Sequence, residues 1–158
     1  MDKRRLFSSL LALVGSTALI IAYVAQFGFG LEPCVLCLYQ RIPYALVAIL
    51  GFIAMKRPEN VRLILLLAAI TFAIGAVIAA YHFGVEKHWW ASATGCTGDP
   101  SKSTSVQDLM QSMEKKQAKA CDAVDWTLLG ISMAGWNVLF SIFCVHATII
   151  ARQRLKGI

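Results

Sequence analysis

The sequence predicts an all-α membrane protein, an antiparallel four-helix transmembrane bundle with a short amphipathic helix in its second outer loop. Three observations predict it. The chain is 58% apolar and 15% charged, against roughly 25% charged in an average soluble domain. Its apolar residues fall into four long blocks, each reaching the length of about 18 residues that crosses hydrocarbon as a helix. Its basic residues gather beside alternate ends of those blocks, as expected of a chain that crosses an even number of times with its positive segments inside. The whole of 1–158 reads as a single transmembrane domain, with helices at about 6–29, 38–55, 62–84 and 126–151 and outer loops at about 30–37 and 85–125.

Lys3, Arg4 and Arg5 precede the first block, an uncharged run over 6–30. That run is too long for the apolar region of a cleaved signal peptide and lacks a clean cleavage site, so it is read as a retained span. The second block, 38–55, is 18 residues long and spans about 27 Å as a helix. It contains Gln40, Arg41 and Pro43, exceptions that carry information. The third and fourth blocks hold no Lys, Arg, Asp or Glu. Ala69, Ala73, Gly75, Ala76, Ala79 and Ala80 on the third, and Gly130, Ala134 and Gly135 on the fourth, permit close helix approach. Tyr81, Trp89, Trp90 and Trp126 suit the outer membrane interface.

The net charge of +6 follows from topology. Nine of the fifteen basic residues lie in three short segments: Lys3, Arg4 and Arg5; Lys56, Arg57 and Arg62; Arg152, Arg154 and Lys156. Four crossings put all three on one face, so both termini are expected to be cytoplasmic. In the second outer loop five Lys are offset by Glu86, Asp99, Asp108, Glu114, Asp122 and Asp125. No basic face of the kind that binds nucleic acid is expected. In the same loop Ser105 and Asp108 read as a capping box, followed by Val106, Leu109, Met110 and Met113 at helical spacing. This pattern predicts the short helix lying on the outer surface.

Four of the five cysteines fall on the outer side: Cys34 and Cys37 in the first loop, Cys96 and Cys121 in the second. Cys144 sits mid-helix among apolar neighbours and reads as a packing residue. Outer cysteines commonly form structural disulfides, a reading open to Cys96 and Cys121. It suits Cys34 and Cys37 poorly, because so short a loop removes little chain entropy from the unfolded state when closed. A c-type haem site needs His after the second cysteine, where Leu38 stands, and a thioredoxin-like site needs a strand–helix alternation that is absent. Zinc fits poorly, since 24 residues separate Cys96 from Cys121, and no metal site is expected.

Pro33 suits the first position of a helix, which places Cys34 and Cys37 in the first turn, where free amides and the helix dipole stabilise a thiolate. Arg41 follows Cys37 by four residues, on the same face one turn deeper. An ionisable residue within a span usually faces the bundle interior and marks a functional pathway, although snorkelling to headgroups is the alternative. His82, at the outer end of the third helix, lies at the same depth. Thiols that are reoxidised repeatedly need an acceptor, and no haem, flavin or iron–sulfur motif is present. A lipid-soluble quinone fits, with Arg41 polarising its carbonyl.

These residues resemble the DsbB family of disulfide-forming membrane proteins over nearly the whole chain. The strongest stretch is Pro33-Cys34-Val35-Leu36-Cys37-Leu38-Tyr39-Gln40-Arg41; others are Tyr81-His82, Trp89-Trp90, Cys121-Asp122, Trp126, Gly130-Ile131-Ser132 and Gly135-Trp136-Asn137. The resemblance implies a thiol oxidase of the bacterial inner membrane that reoxidises a periplasmic DsbA-type dithiol protein and passes the electrons to ubiquinone or menaquinone. It further implies that Cys96 and Cys121 exchange with the partner, that Cys34 and Cys37 reduce the quinone, and that Cys37, Arg41 and His82 line the quinone site. Gln40 stands where some members have Glu, so no carboxylate role transfers there. Some members serve a dedicated partner, which leaves the partner's identity open. The rival reading is a non-catalytic four-span scaffold stapled by two inert disulfides.

Overall fold

The computed structural model describes residues 2–94, 96, 119–124 and 126–155. Among them, four helices are long and apolar enough to cross a membrane: α1 (Lys3–Gly28), α2 (Val35–Lys56), α3 (Val61–Glu86) and α4 (Met133–Arg154). The expected amphipathic helix, with Ser105 and Asp108, lies outside the described residues.

Three of the four helices begin where the sequence supplies a side-chain cap. Asp2 accepts from the Arg4 amide ahead of α1, Cys34 from the Cys37 amide ahead of α2, and Ser132 from the Gly135 amide ahead of α4, each meeting one orphan donor of a first turn. A 3-10 turn over Pro58–Asn60 joins α2 to α3. α3 ends with His88 at φ 57°, where His88 N–H donates to Val85 O and Trp89 N–H to Gly84 O, the paired bonds of a Schellman ending.

The fourth helix departs from expectation. It starts at Met133 because residues 127–132 form a hairpin, Thr127–Leu128 paired antiparallel with Ile131–Ser132. Leu129 and Gly130 sit at φ 54° and 76°, the two positive angles that a tight two-residue hairpin turn requires. Gly130 therefore turns the chain and is no part of a helix-approach surface. Ala69, Gly75 and Ala79 are buried as expected of that surface, whereas Ala73 and Ala80 face outward.

Packing follows chain order: α1 lies on α2, α2 on α3 and α3 on α4. Gly15 and Gly51 let α1 and α2 touch backbone to backbone; a Cβ on Gly15 would stand 2.6 Å from Ala48 N, and one on Gly51 2.6 Å from Ala12 Cα. The main core, with Val47, Leu65, Phe72 and Cys144, fills the half near the 58–60 turn. A smaller cluster at the other end gathers Cys34, Leu36, Val85 and Cys121. α1 and α4 scarcely meet, which leaves a seam between them.

Candidate functional site

Pro33 does not open α2. Cys34 takes the cap and Cys37 is the third helical residue, so the two-residue spacing brings the sulfurs to 2.8 Å as free thiols. Cys34 Sγ accepts from Cys37 N–H at 3.2 Å and lies 3.5 Å from His82 Nε2. The Cys34 thiol is thereby held well below the usual thiol range. The Cys37 side-chain hydrogen bond is the main cause; burial opposes it, and His82 and the Cys37 amide add to it.

His82 is oriented from behind. Gln40 Nε2 donates to His82 Nδ1 at 2.7 Å, which leaves the ring proton on Nε2, facing the Cys34 sulfur and the Cys121 carbonyl oxygen 3.2 Å away. Asn137 on α4 donates through Nδ2 to Gln40 Oε1, and the Tyr44 hydroxyl donates to Asn137 Oδ1. A buried polar chain thus ties α2, α3 and α4 together beneath the sulfurs. Glu86, counted in sequence as a loop charge, is the last residue of α3. Its side chain is 7% exposed, with one oxygen 3.8 Å from His82 Nε2 and the other accepting from the Ser132 hydroxyl.

Arg41 turns toward α1 and does not reach out to headgroups. It donates to Gln26 Oε1 at 2.6 Å and to Ala22 O at 3.5 Å, with its guanidinium 4.9 Å from the centre of the Tyr23 ring. Arg41, Cys34, Cys37, His82 and Glu86 all line one cavity of about 780 Å³ that lies between α1 and α4. The α1 wall is mostly apolar, with Leu13, Val14, Ala18 and Ala22. Spacing alone could not assign Gln26, Tyr44, Glu86 or Asn137 to this place, since each joins it through a different helix. The sole hint was Glu86, one turn after His82.

Cys96 and Cys121 are joined in a disulfide, with Cα atoms 5.3 Å apart. Cys121 is 1% exposed and packs with Cys34, Leu36 and Val85. Cys96 is half-buried, with the Ser92 and Thr94 hydroxyls 3.1 and 3.0 Å from its sulfur. One disulfide and one close dithiol therefore adjoin within a single sulfur-rich cluster.

The family model for disulfide bond formation protein DsbB matches residues 4–151. The chain belongs to the DsbB family. It is 30% identical over 157 residues to disulfide bond formation protein B of Pseudoalteromonas translucida, covering 95% of this chain and 88% of that one. The protein of the same name from Pasteurella multocida is 30% identical over 147 residues, covering 88% and 80%. An uncharacterized Rickettsia prowazekii protein is 27% identical over 143 residues, covering 89% and 83%. No solved structure matches the chain. As a DsbB-family protein with four membrane-length helices, it is a multi-pass membrane oxidoreductase of disulfide formation.

Proposed function

We propose that this protein is a quinone-dependent thiol oxidase of the bacterial inner membrane that reoxidises a periplasmic DsbA-type dithiol protein. The observation that carries the reading is the shared cavity: the Cys34–Cys37 dithiol and Arg41 stand at the polar end of a largely apolar chamber between two helices. The donor set fits a quinone, since an apolar wall suits an isoprenoid chain and Arg41 offers a cation to a carbonyl oxygen. Such a group, ubiquinone or menaquinone, supplies a two-electron, two-proton acceptor. Cys37, Arg41 and His82 would hold it.

The chain's own residues account for the earlier steps. A partner thiolate attacks Cys96, the more exposed sulfur; the Cys96–Cys121 bond breaks and Cys121 leaves as a thiolate. The partner's second thiol then displaces Cys96, so the partner becomes oxidised and the loop pair reduced. The Cys121 thiolate, packed against Cys34, attacks that sulfur of a Cys34–Cys37 disulfide and Cys37 leaves as a thiolate; the Cys96 thiol then attacks Cys121, which restores the Cys96–Cys121 disulfide and releases Cys34. Nε2–H of His82 and the Cys37 amide stabilise the thiolate released at Cys34. The basic segments favour both termini and the 58–60 turn in the cytoplasm, with Cys34, Cys37, Cys96 and Cys121 outside.

The test is quinone reduction by the purified protein in detergent, with a reduced DsbA-type protein as donor. Cys37→Ser is expected to abolish turnover, and Arg41→Ala to raise the quinone KM tenfold or more, roughly the loss of one charge-assisted contact. Absence of turnover by the unmutated protein with every quinone would replace the relay with the stapled scaffold.

A further inference from the structure

Three metal-competent side chains converge on one point at the outer end of the cavity, and a fourth, Glu86, stands beside the histidine but outside that group. Cys34 Sγ, Cys37 Sγ and a His82 ring nitrogen lie within 4.8 Å of one another, and Glu86 Oε1 is 3.8 Å from His82 Nε2. Zinc bound to sulfur at about 2.3 Å and to nitrogen or oxygen at about 2.0–2.2 Å sets tetrahedral ligand–ligand edges of roughly 3.3–3.8 Å. The Cys34–His82 separation of 3.5 Å already meets that requirement, and Glu86, 3.8 Å from His82, completes the set by a turn of its side chain toward the sulfurs. The sulfurs, at 2.8 Å, need to part by about 1 Å, which a small rotation of the Cys37 side chain supplies.

The supporting shell is in place as well. Bound through Nε2, the imidazole carries its proton on Nδ1 and donates it to a fixed acceptor, as metal-ligating histidines do. Gln40 can be that acceptor if its amide turns over to present Oε1. Asn137 turns with it, and the Tyr44 hydroxyl then accepts where it now donates, so the chain from His82 to Tyr44 stays paired in either sense, at the loss of the long Gln40–Leu36 bond.

We propose that the reduced protein binds a soft divalent cation, zinc or cadmium, through Cys34, Cys37, His82 and Glu86. The site exists only in the dithiol state, because a Cys34–Cys37 disulfide offers no thiolate. Binding displaces the remaining thiol protons and transfers no electrons. Thiolates committed to a cation are withheld from oxidation, so the cation arrests the protein in its reduced form. The inference requires only that this pair can be reduced, and it stands apart from the identity of quinone or partner.

The test is cadmium titration of the full-length protein in detergent, in a Cys96→Ser/Cys121→Ser background that removes the loop thiols. The readout is the thiolate-to-cadmium charge-transfer absorption, with zinc as competitor. The reduced form is expected to take up one equivalent and the oxidised form of the same chain none. Cys37→Ser, His82→Ala and Glu86→Gln are each expected to raise Kd at least tenfold. Equal uptake by both redox forms, or no saturable uptake, would overturn the site, and the redox comparison needs no substitution within it. A Kd unmoved by His82→Ala or by Glu86→Gln would overturn the four-ligand assignment.

Discussion

At the scale of single residues, Cys34 owes its lowered pKa first to the Cys37 side chain bonded to its sulfur, and its place as a cap adds to that. A sulfur at the helix N-terminus meets the free amides of the first turn, and here one of them, from Cys37, donates to it directly. Because the Cys34 pKa is lowered, its thiolate persists as pH falls below the ordinary thiol value of about 8.5 and is lost only near the lowered one. In reduced, metal-free protein, alkylation of Cys34 followed by peptide mass analysis should therefore vary little from about pH 8 to pH 6, where an ordinary thiol slows about tenfold per unit. His82→Ala removes one stabilising contact, so the fall in rate should move to higher pH. The cysteines and Arg41 could be recognised in the sequence because they are rare types in an apolar setting. Asn137 and Tyr44 could not, since a single polar residue in a span shows its meaning only when a partner on another helix is known.

At the scale of elements, helix endings follow from local backbone chemistry. His88 occupies the left-handed position that ends α3, a conformation that costs a residue with a Cβ roughly 1 kcal/mol or more. His88→Gly should raise the thermal midpoint in detergent, by an amount equivalent to about 0.5–1 kcal/mol, with the cysteine chemistry unchanged. Gly51→Leu acts in the opposite direction: its side chain has to displace the Ala12 backbone, and overpacking of that kind costs typically 1–3 kcal/mol. The lower midpoint should be accompanied by weaker quinone use, since Arg41 bridges α2 to Gln26 on α1. The four spans were readable from length and apolarity. The start of α4 was not, because Trp126, Leu128 and Leu129 are as apolar in a hairpin as in a helix, and only the Leu129–Gly130 pair with Ser132 behind it marks the break.

At the scale of the whole molecule, packing in chain order leaves α1 and α4 as the two free edges of the bundle. The cavity lies between them, and Ala18 lines its wall midway along α1. Ala18→Trp should fill that space and raise the quinone KM several-fold, while thiol exchange between a partner and the Cys96–Cys121 disulfide, followed separately by mixed-disulfide trapping, keeps its rate. Equal loss of both would mean that the substitution disturbs the bundle as a whole. The bundle could be foreseen from the sequence, but the seam could not: it depends on which helix faces are left unpaired, and lipid-facing and helix-facing sides of these spans are alike largely apolar. A reactant that reaches the thiols through that seam is supplied in two dimensions. Its effective concentration is a number of molecules per unit area of lipid, so in vesicles added phospholipid would slow the protein at constant buffer volume, while added buffer would leave it unchanged.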